Sequence, residues 1–265
     1  MTILRFELRK LRASLIIWAA SLSAAIFLML PVYIDMLTAA DSSVLDTAGG
    51  NAFFKSIGTS IEILSTPMGT YSFLTFFVLF AVAINGMNTG LNLITKEYRH
   101  KSVDFLLTKP FSRSQIFISK LLAAAGASFM IGIGYFFSSW AAMVMAAGGD
   151  FRFTHLALIA ASVFLMQLIY IALGMLAGIL APRIKATVSI SAGTAFVTYA
   201  IGSMSRTVGS KIIGFLSPYR YFDGAHIISE GVYEPVFMTI YALFMLAFII
   251  LGHHLFCKKD LVTVS

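Results

Sequence analysis

Three asparagines stand in an otherwise apolar part of the sequence. Asn85, Asn88 and Asn92 recur at a spacing of i, i+3 and i+7, so a helix would place all three on one face. Amide side chains carry both donors and acceptors, and in an apolar solvent each of these groups needs a partner. Two interpretations follow: the amides bond to neighbouring helices, or they line a path for a transported solute.

The other residue types that could perform catalysis or bind a metal form no recognisable site. His253 and His254 are adjacent, so a helix points them to different sides, and no carboxylate lies within one helical turn of them. Cys257 is the only cysteine, which excludes an internal disulfide framework. There is no HExxH motif and no Ser/His/Asp arrangement. We therefore predict no catalytic residue, no metal site and no cofactor in this chain.

The most strongly charged stretch runs from Lys96 to Lys120 and carries six basic and two acidic residues among 25. Within it, Ser102 can cap a short helix that Pro110 then ends. The apolar face of that predicted helix consists of Val103, Leu106 and Leu107. A connecting loop needs no such face, so we expect a separate soluble protein to dock there.

Two charged residues flank the short helix, and both could orient the docking protein. These are Glu97 and Arg113, and charge pairing at such positions affects docking more than folding. Ser112 and Gln115 have the spacing of a capping box, which predicts that the next helix begins there.

The elements around this stretch are those of a membrane protein. The 265-residue chain is 58% hydrophobic and only 12% charged, with a mean hydropathy of +0.87. Its apolar runs predict a single all-α transmembrane domain with six transmembrane helices, at residues 15–34, 71–94, 116–147, 156–181, 187–204 and 236–256. The fifth run is the weakest, because it is rich in Ser, Thr and Gly. Gly174 and Gly178 in the fourth run form a G-x-x-x-G motif that favours close helix packing, within one subunit or between two.

The distribution of charge predicts the orientation of these helices. Fourteen basic residues fall on the side that holds both termini and the loop at residues 95–115, against five on the other side. Both termini and that loop are therefore expected to be cytoplasmic. Residues 1–13 place leucines on one helical face and arginines on another. They are either an amphipathic helix in the membrane interface or a plain basic anchor, and the first apolar run is too long for a cleaved signal peptide.

The pattern of several of these residues resembles that of a known family, the ABC-2 type permeases. The residues that carry the resemblance are Glu97, Lys101–Leu107, Pro110, Ser112-Arg113 and Lys120, with the start FELRKLRASLIIW and the segment LSPYRYFDGAHII. The resemblance implies a six-helix permease that dimerises and couples to a separate ATP-hydrolysing subunit. The sequence itself has no G-x-x-x-x-G-K-[ST] motif, and Gly209-Ser210-Lys211 lacks the upstream glycine. ATP and Mg²⁺ are thus expected on the partner.

The segment at residues 205–235, hereafter the outer segment, is too polar to span a membrane but carries several aromatic residues. We expect it to form short helices in the outer interface. In the resembled family this position holds a re-entrant element that gates the outer exit. A second long outer loop is predicted at residues 35–70.

Three classes of function fit a protein of this kind. The first is the permease of an ATP-driven exporter of an amphipathic peptide, antibiotic or lipid-like molecule, working as a homodimer or with a similar permease in the bacterial cytoplasmic membrane. The second is an ion-coupled secondary transporter or channel, and the third is an intramembrane enzyme. The last two usually need ionisable residues within the membrane, and no Asp, Glu, Lys or Arg falls in the central part of any predicted span. No nucleic-acid partner is needed to explain the net charge.

Overall fold

A computed structural model of the chain describes residues 2–39, 61–99, 112–149 and 151–258. These residues form helices joined by short turns and contain no strand, which confirms the all-α prediction. The helices are α1 (Thr2–Ala39), α2 (Ile61–Leu64), α3 (Pro67–Arg99), α4 (Arg113–Ala147), α5 (Phe153–Leu180), α6 (Thr187–Val208), α7 (Lys211–Gly214), α8 (Pro218–Tyr221), α9 (Gly224–Glu230) and α10 (Pro235–Lys258).

Five of these helices, α1, α3, α4, α5 and α10, are long and apolar enough to cross a membrane. The fifth predicted span corresponds to α6, whose 22 residues extend about 33 Å and so match a bilayer in length. It is not one of those five helices, because its Ser, Thr and Gly residues make it less apolar. The count of six spans therefore stays a prediction.

The first helix differs from its prediction. Residues 1–13 and 15–34 were expected as two elements, but α1 continues through both without a break and includes Pro31. The residues around the expected boundary, 9–15, include Arg, Lys, Leu and Ala, which are strong helix formers, and neither Gly nor Pro precedes Pro31. Whether the first turns of α1 lie in the membrane interface stays a prediction.

The centre of the bundle is the contact between α3 and α5, which run parallel. A Cβ atom added to Gly90 would lie 2.3 Å from the backbone oxygen of Ile171, and one added to Gly174 would lie 2.5 Å from that of Met87. Only glycine permits backbones to approach this closely. The predicted G-x-x-x-G therefore packs within one chain.

The other long helices surround this pair. The helix α1 lies along α4, where Gly134 faces Ser23, while α6 packs on α3 and α10 on α5. Contacts between Glu7 and Lys120, and between Arg113 and the last turn of α10, bring the start of α1, the end of α3, the start of α4 and the end of α10 together. We call this the basic end. The predicted coupling loop joins α3 to α4 there.

The outer segment lies at the opposite end of the bundle, and its place in the outer membrane interface stays a prediction. The expected short helices are present as α7, α8 and α9. Their aromatic side chains do not lie at the surface, however, because Tyr219, Tyr221 and Phe222 are buried in the core of the bundle. Aromatic partners on α3, α5, α6 and α10 enclose these rings.

Candidate functional site

The start of α4 is fixed by the predicted capping box. The Ser112 hydroxyl accepts a hydrogen bond from the backbone nitrogen of Gln115 at 3.2 Å, and the Gln115 side chain accepts one from the backbone nitrogen of Ser112 at 3.1 Å. This arrangement satisfies two donors that the helix start would otherwise leave open. The prediction of the capping box is confirmed, and α4 begins at Arg113, within the predicted loop at residues 95–115.

The first turn of α4 is also bonded to the last turns of α10. Arg113 donates to the backbone oxygen of Cys257 at 3.2 Å, and the Ser114 hydroxyl is 2.8 Å from the His253 ring nitrogen. His253 is thus a packing residue with a hydrogen-bond partner. Within the described residues, no cluster of three His, Cys, Asp or Glu side chains could hold a metal ion.

A buried ion pair lies about two helical turns further along α4. Lys120 Nζ is 3.3 Å from Glu7 Oε1 and also donates to the backbone oxygen of Leu93 at 2.9 Å. The side chains of Lys120 and Glu7 are only 1% and 4% exposed. These bonds link α1, α3 and α4, and loss of one charge would leave the other buried without compensation.

Sequence reasoning did not find this pair. Glu7 and Lys120 are 113 residues apart, so no local spacing connects them. The one sequence signal is that Lys120 stands five residues inside the apolar run that begins near Ile116, a position where a lysine needs a partner.

The three asparagines of the predicted polar face, Asn85, Asn88 and Asn92, lie in two different environments. Asn85 is buried within α3, whereas the Asn92 amide nitrogen donates to the Asn88 side-chain oxygen at 2.8 Å. Asn92 also accepts a weak hydrogen bond at 3.5 Å from Thr187, which belongs to α6. That contact supports interhelical bonding. Asn88 and Asn92 in addition line a cavity, and Asn85 is not among its lining residues.

The cavity lies between α1, α3 and α4 at the basic end and has a volume of about 130 Å³. We call it the lysine cavity. Its lining is polar except for Leu11 and Leu93, and its charged residues are Glu7, Lys10, Lys96 and Lys120. In this apolar bundle, such a lining suits a charged or strongly polar ligand.

At the opposite end, aromatic side chains pack around Tyr219. The Tyr219 ring lies 5.9 to 6.4 Å, centroid to centroid, from four rings on three helices. Those rings belong to Phe76, Phe80, Tyr170 and Tyr199. Burial raises the pKa of Tyr219, so its hydroxyl stays neutral. One neighbouring cavity measures about 20 Å³, room for about one water molecule, and a second, mainly apolar cavity of about 190 Å³ lies beside Tyr170 and Tyr221.

Charged residues hold the outer segment on this aromatic cluster. Asp223 Oδ2 lies 3.3 Å from Arg206 and 3.1 Å from Arg220, while its Oδ1 accepts hydrogen bonds from the first backbone nitrogens of α9. Burial lowers the pKa of Arg206, and the Asp223 carboxylate acts in the opposite direction. One aspartate therefore joins α6, α8 and α9. Sequence reasoning missed this cluster because it assigned the whole segment to the interface.

Comparison with protein families explains this architecture. The family described as ABC-2 family transporter protein matches residues 1–261 of the chain. The chain belongs to the ABC-2 transporter family. A comparison with curated proteins gives no match. Members of this family are membrane components of transporters rather than ATPases and work with ABC ATPase partners, so this ABC-2 permease is a multi-pass cell membrane protein.

The predicted coupling residues of the ABC-2 permease are only partly within the described structure. Glu97 lies in α3, which therefore extends into the predicted loop at residues 95–115, and Arg113 lies in the first turn of α4. The remaining three, Val103, Leu106 and Leu107, fall outside the described residues, as does the predicted short helix. Their role stays a prediction.

Proposed function

We propose that this ABC-2 permease is the transmembrane subunit of an ATP-driven exporter. A separate ATPase docks on the loop at residues 96–120, binds ATP and Mg²⁺, and drives an amphipathic peptide, antibiotic or lipid-like substrate outward. Two permease chains, identical or similar, form the transport unit. Family membership supports the transporter class, and the coupling and direction rest on the arguments that follow.

The observation that carries the proposal is the way in which the helices beside the loop are joined. The capping box fixes the start of α4, Arg113 ties that start to α10, and Lys120 ties it to α1 and α3. A force on the loop would therefore move four helices together instead of bending one connection. Rigid, bonded elements of this kind transmit a displacement over the length of a bundle.

The outer segment, at the opposite end of the bundle, is the element that such a movement would displace. Tyr219 contacts Phe76 and Phe80 on α3, the helix that leads directly into the loop. A tilt of α3 would separate these rings and release the outer segment from its cluster. Outward opening would then follow from closure of the ATPases, without a catalytic residue in the permease.

The proposed stoichiometry follows from symmetry. Two ATPases that close on ATP form a two-fold unit, and a two-fold unit needs two permease surfaces to act upon. The purified active complex should therefore contain two permease chains, measured by mass in detergent or in a lipid nanodisc. An active complex with a single permease chain would refute this part of the proposal.

The decisive experiment is a substitution on the predicted docking face. Leu106→Asp places a charge where an apolar anchor is expected to fill a groove on the ATPase. We expect the variant to insert and assemble normally, while the ATPase activity of the complex no longer responds to substrate. Thr108→Asp, two residues along on the opposite face of the predicted helix, is the matched control. Full coupled transport by Leu106→Asp would show that the loop is only a connector.

The alternative of an ion-coupled transporter makes a different prediction. Proton and sodium relays usually use an ionisable group along the transport path, whereas the Glu7–Lys120 pair lies at the basic end and its two charges neutralise each other. Transport that continues with a hydrolysis-deficient ATPase and follows an ion gradient would favour that alternative.

A further inference from the structure

We infer that the lysine cavity binds the phosphate group of an anionic phospholipid from the membrane leaflet at the basic end. The inference does not depend on coupling to an ATPase. It requires only that the basic end lies at a membrane surface, and it assigns a ligand to a cavity for which the proposed transport mechanism needs none.

The charge of the cavity favours an anion. Three lysines and one glutamate line it, so its lining carries a net charge of two positive units. Lys120 is occupied by Glu7 and by the backbone oxygen of Leu93, so it contributes to the electrostatic field but is not the direct ligand. Lys96 is exposed, and so is Lys10, whose ammonium lies 4.3 Å from the centroid of the Phe6 ring; both side chains can turn toward an anion. Lysine is a common phosphate-binding residue because its ammonium group acts as a point charge.

Neutral donors complete the site. Asn92 directs its amide nitrogen onto the side-chain and backbone oxygens of Asn88, which leaves the Asn88 amide nitrogen, with no partner among the described residues, available to a ligand. Ser14 and Thr89 also line the cavity. A phosphate accepts hydrogen bonds at all of its oxygens, so a mixture of amides, hydroxyls and lysines suits it.

The size of the cavity is sufficient for a polyatomic anion. Its volume of about 130 Å³ is well above the roughly 10 to 15 Å³ that one water molecule needs on the same measure. A phosphate group with its first ester atoms fits this space. The cavity therefore has room for a lipid headgroup.

The continuation of the same helix pair favours a lipid over a soluble phosphate. Beyond the lysine cavity, α1 and α3 enclose an open apolar groove of about 430 Å³, with Leu22, Ile26 and Met29 on one side and Phe73, Phe77 and Val78 on the other. The groove begins eight residues after Ser14, which is about 12 Å along α1. We call the lysine cavity and the groove together the seam between α1 and α3. A phospholipid whose phosphate is held in the cavity would place its acyl chains along this seam.

Packing explains why the seam is open. The helix α1 lies mainly against α4 and makes fewer contacts with α3. The seam is thus polar at the basic end and apolar beyond it, the order of groups in a phospholipid.

Lipid binding to the purified permease in nanodiscs tests the inference. Binding of fluorescent phosphatidylglycerol is compared with that of phosphatidylcholine, which has no net charge. The test variant is Lys10→Gln/Lys96→Gln, and the matched control is Lys185→Gln/Lys258→Gln, which removes two exposed lysines of the basic end that do not line the cavity. We expect the test variant to weaken phosphatidylglycerol binding on the order of tenfold and the control only a few-fold.

Each other outcome overturns the inference. Equal losses in both variants would mean that the lysines attract lipid only as a diffuse basic surface. Competition by inorganic phosphate at the cavity, with no preference for phosphatidylglycerol, would mean that the ligand is a free phosphate. A Met29→Cys variant that forms a disulfide between two permease chains would mean that a second copy, and not an acyl chain, covers the groove.

Discussion

The two ends of the bundle contain different kinds of side chain. At the basic end, lysines, amides and one glutamate line a cavity of about 130 Å³, whereas at the outer end aromatic rings pack around Tyr219, and a cavity of about 190 Å³ beside Tyr170 and Tyr221 is lined mainly by apolar and aromatic side chains. The helices α3 and α5, joined through their glycines, pass from one end to the other. The same bundle is therefore polar at one end and aromatic at the other.

The ion pairs of the two ends differ only in part. Glu7 and Lys120 are almost wholly buried, while Lys211, paired with Glu234 at the outer end, is 67% exposed. The Arg206–Asp223 pair of the outer end is mostly buried as well. A buried pair holds helices in one arrangement because separating it exposes two uncompensated charges to a low dielectric, whereas an exposed pair can separate at little cost. The Lys211–Glu234 pair is thus the ion pair of the outer end that separates at least cost.

The largest expected difference concerns the side of the membrane that each end faces. In a Cys257→Ser background, Ser229→Cys at the outer end should react with an impermeant thiol reagent in intact cells, and Ser112→Cys should react only after the cells are opened. Lys258→Cys provides a second position at the basic end that leaves the capping box intact. Labelling of Ser112→Cys or Lys258→Cys from outside would invert or break the proposed topology.

The next largest effect is expected at the buried pair. Lys120→Met should lower the free energy of unfolding by about 3 to 5 kcal/mol, because it leaves Glu7 charged and buried. Unfolding in mixed micelles measures this, and a Glu7→Gln/Lys120→Met double variant should recover most of the loss. At the outer end, Lys211→Met should cost at most about 1 kcal/mol. An equal loss of unfolding free energy in Lys120→Met and Lys211→Met would contradict this difference between the two pairs.

A somewhat smaller effect is expected in the aromatic cluster. Tyr219→Ala should lower the free energy of unfolding by about 3 kcal/mol, because it opens a hole among four rings. The control is Leu216→Ala, whose side chain is 62% exposed and whose loss should matter by no more than about 0.5 kcal/mol. If Tyr219→Ala proved as harmless as its control, the outer segment would not be held by this cluster.

The sequence predicted those features that depend on neighbouring residues. The capping box joins residues three apart, so Ser112 and Gln115 could be recognised together. The apolar runs likewise predicted five of the helices that can span a membrane. In both cases the information lies within one helical turn or one helix.

Features that depend on distant partners were missed. No residue near Glu7 in the sequence indicates that it pairs with Lys120. The glycines of α3 likewise could not be assigned a role from the sequence, because their role is to pack against the backbone of α5. The outer segment was assigned to the surface because its composition is polar. Its charges in fact pair with one another, through Asp223, and this pairing lets the aromatic residues between them be buried.

The central claim is that an ATPase docks on the loop at the basic end. A photoreactive amino acid at Leu106 tests this directly when compared with the same amino acid at Leu216, an exposed position of the outer segment. In the active complex, illumination should join the ATPase to the permease from position 106 and not from position 216. Absence of the cross-link from position 106 in a complex that still couples ATP hydrolysis to transport, or its appearance from position 216, would contradict the account.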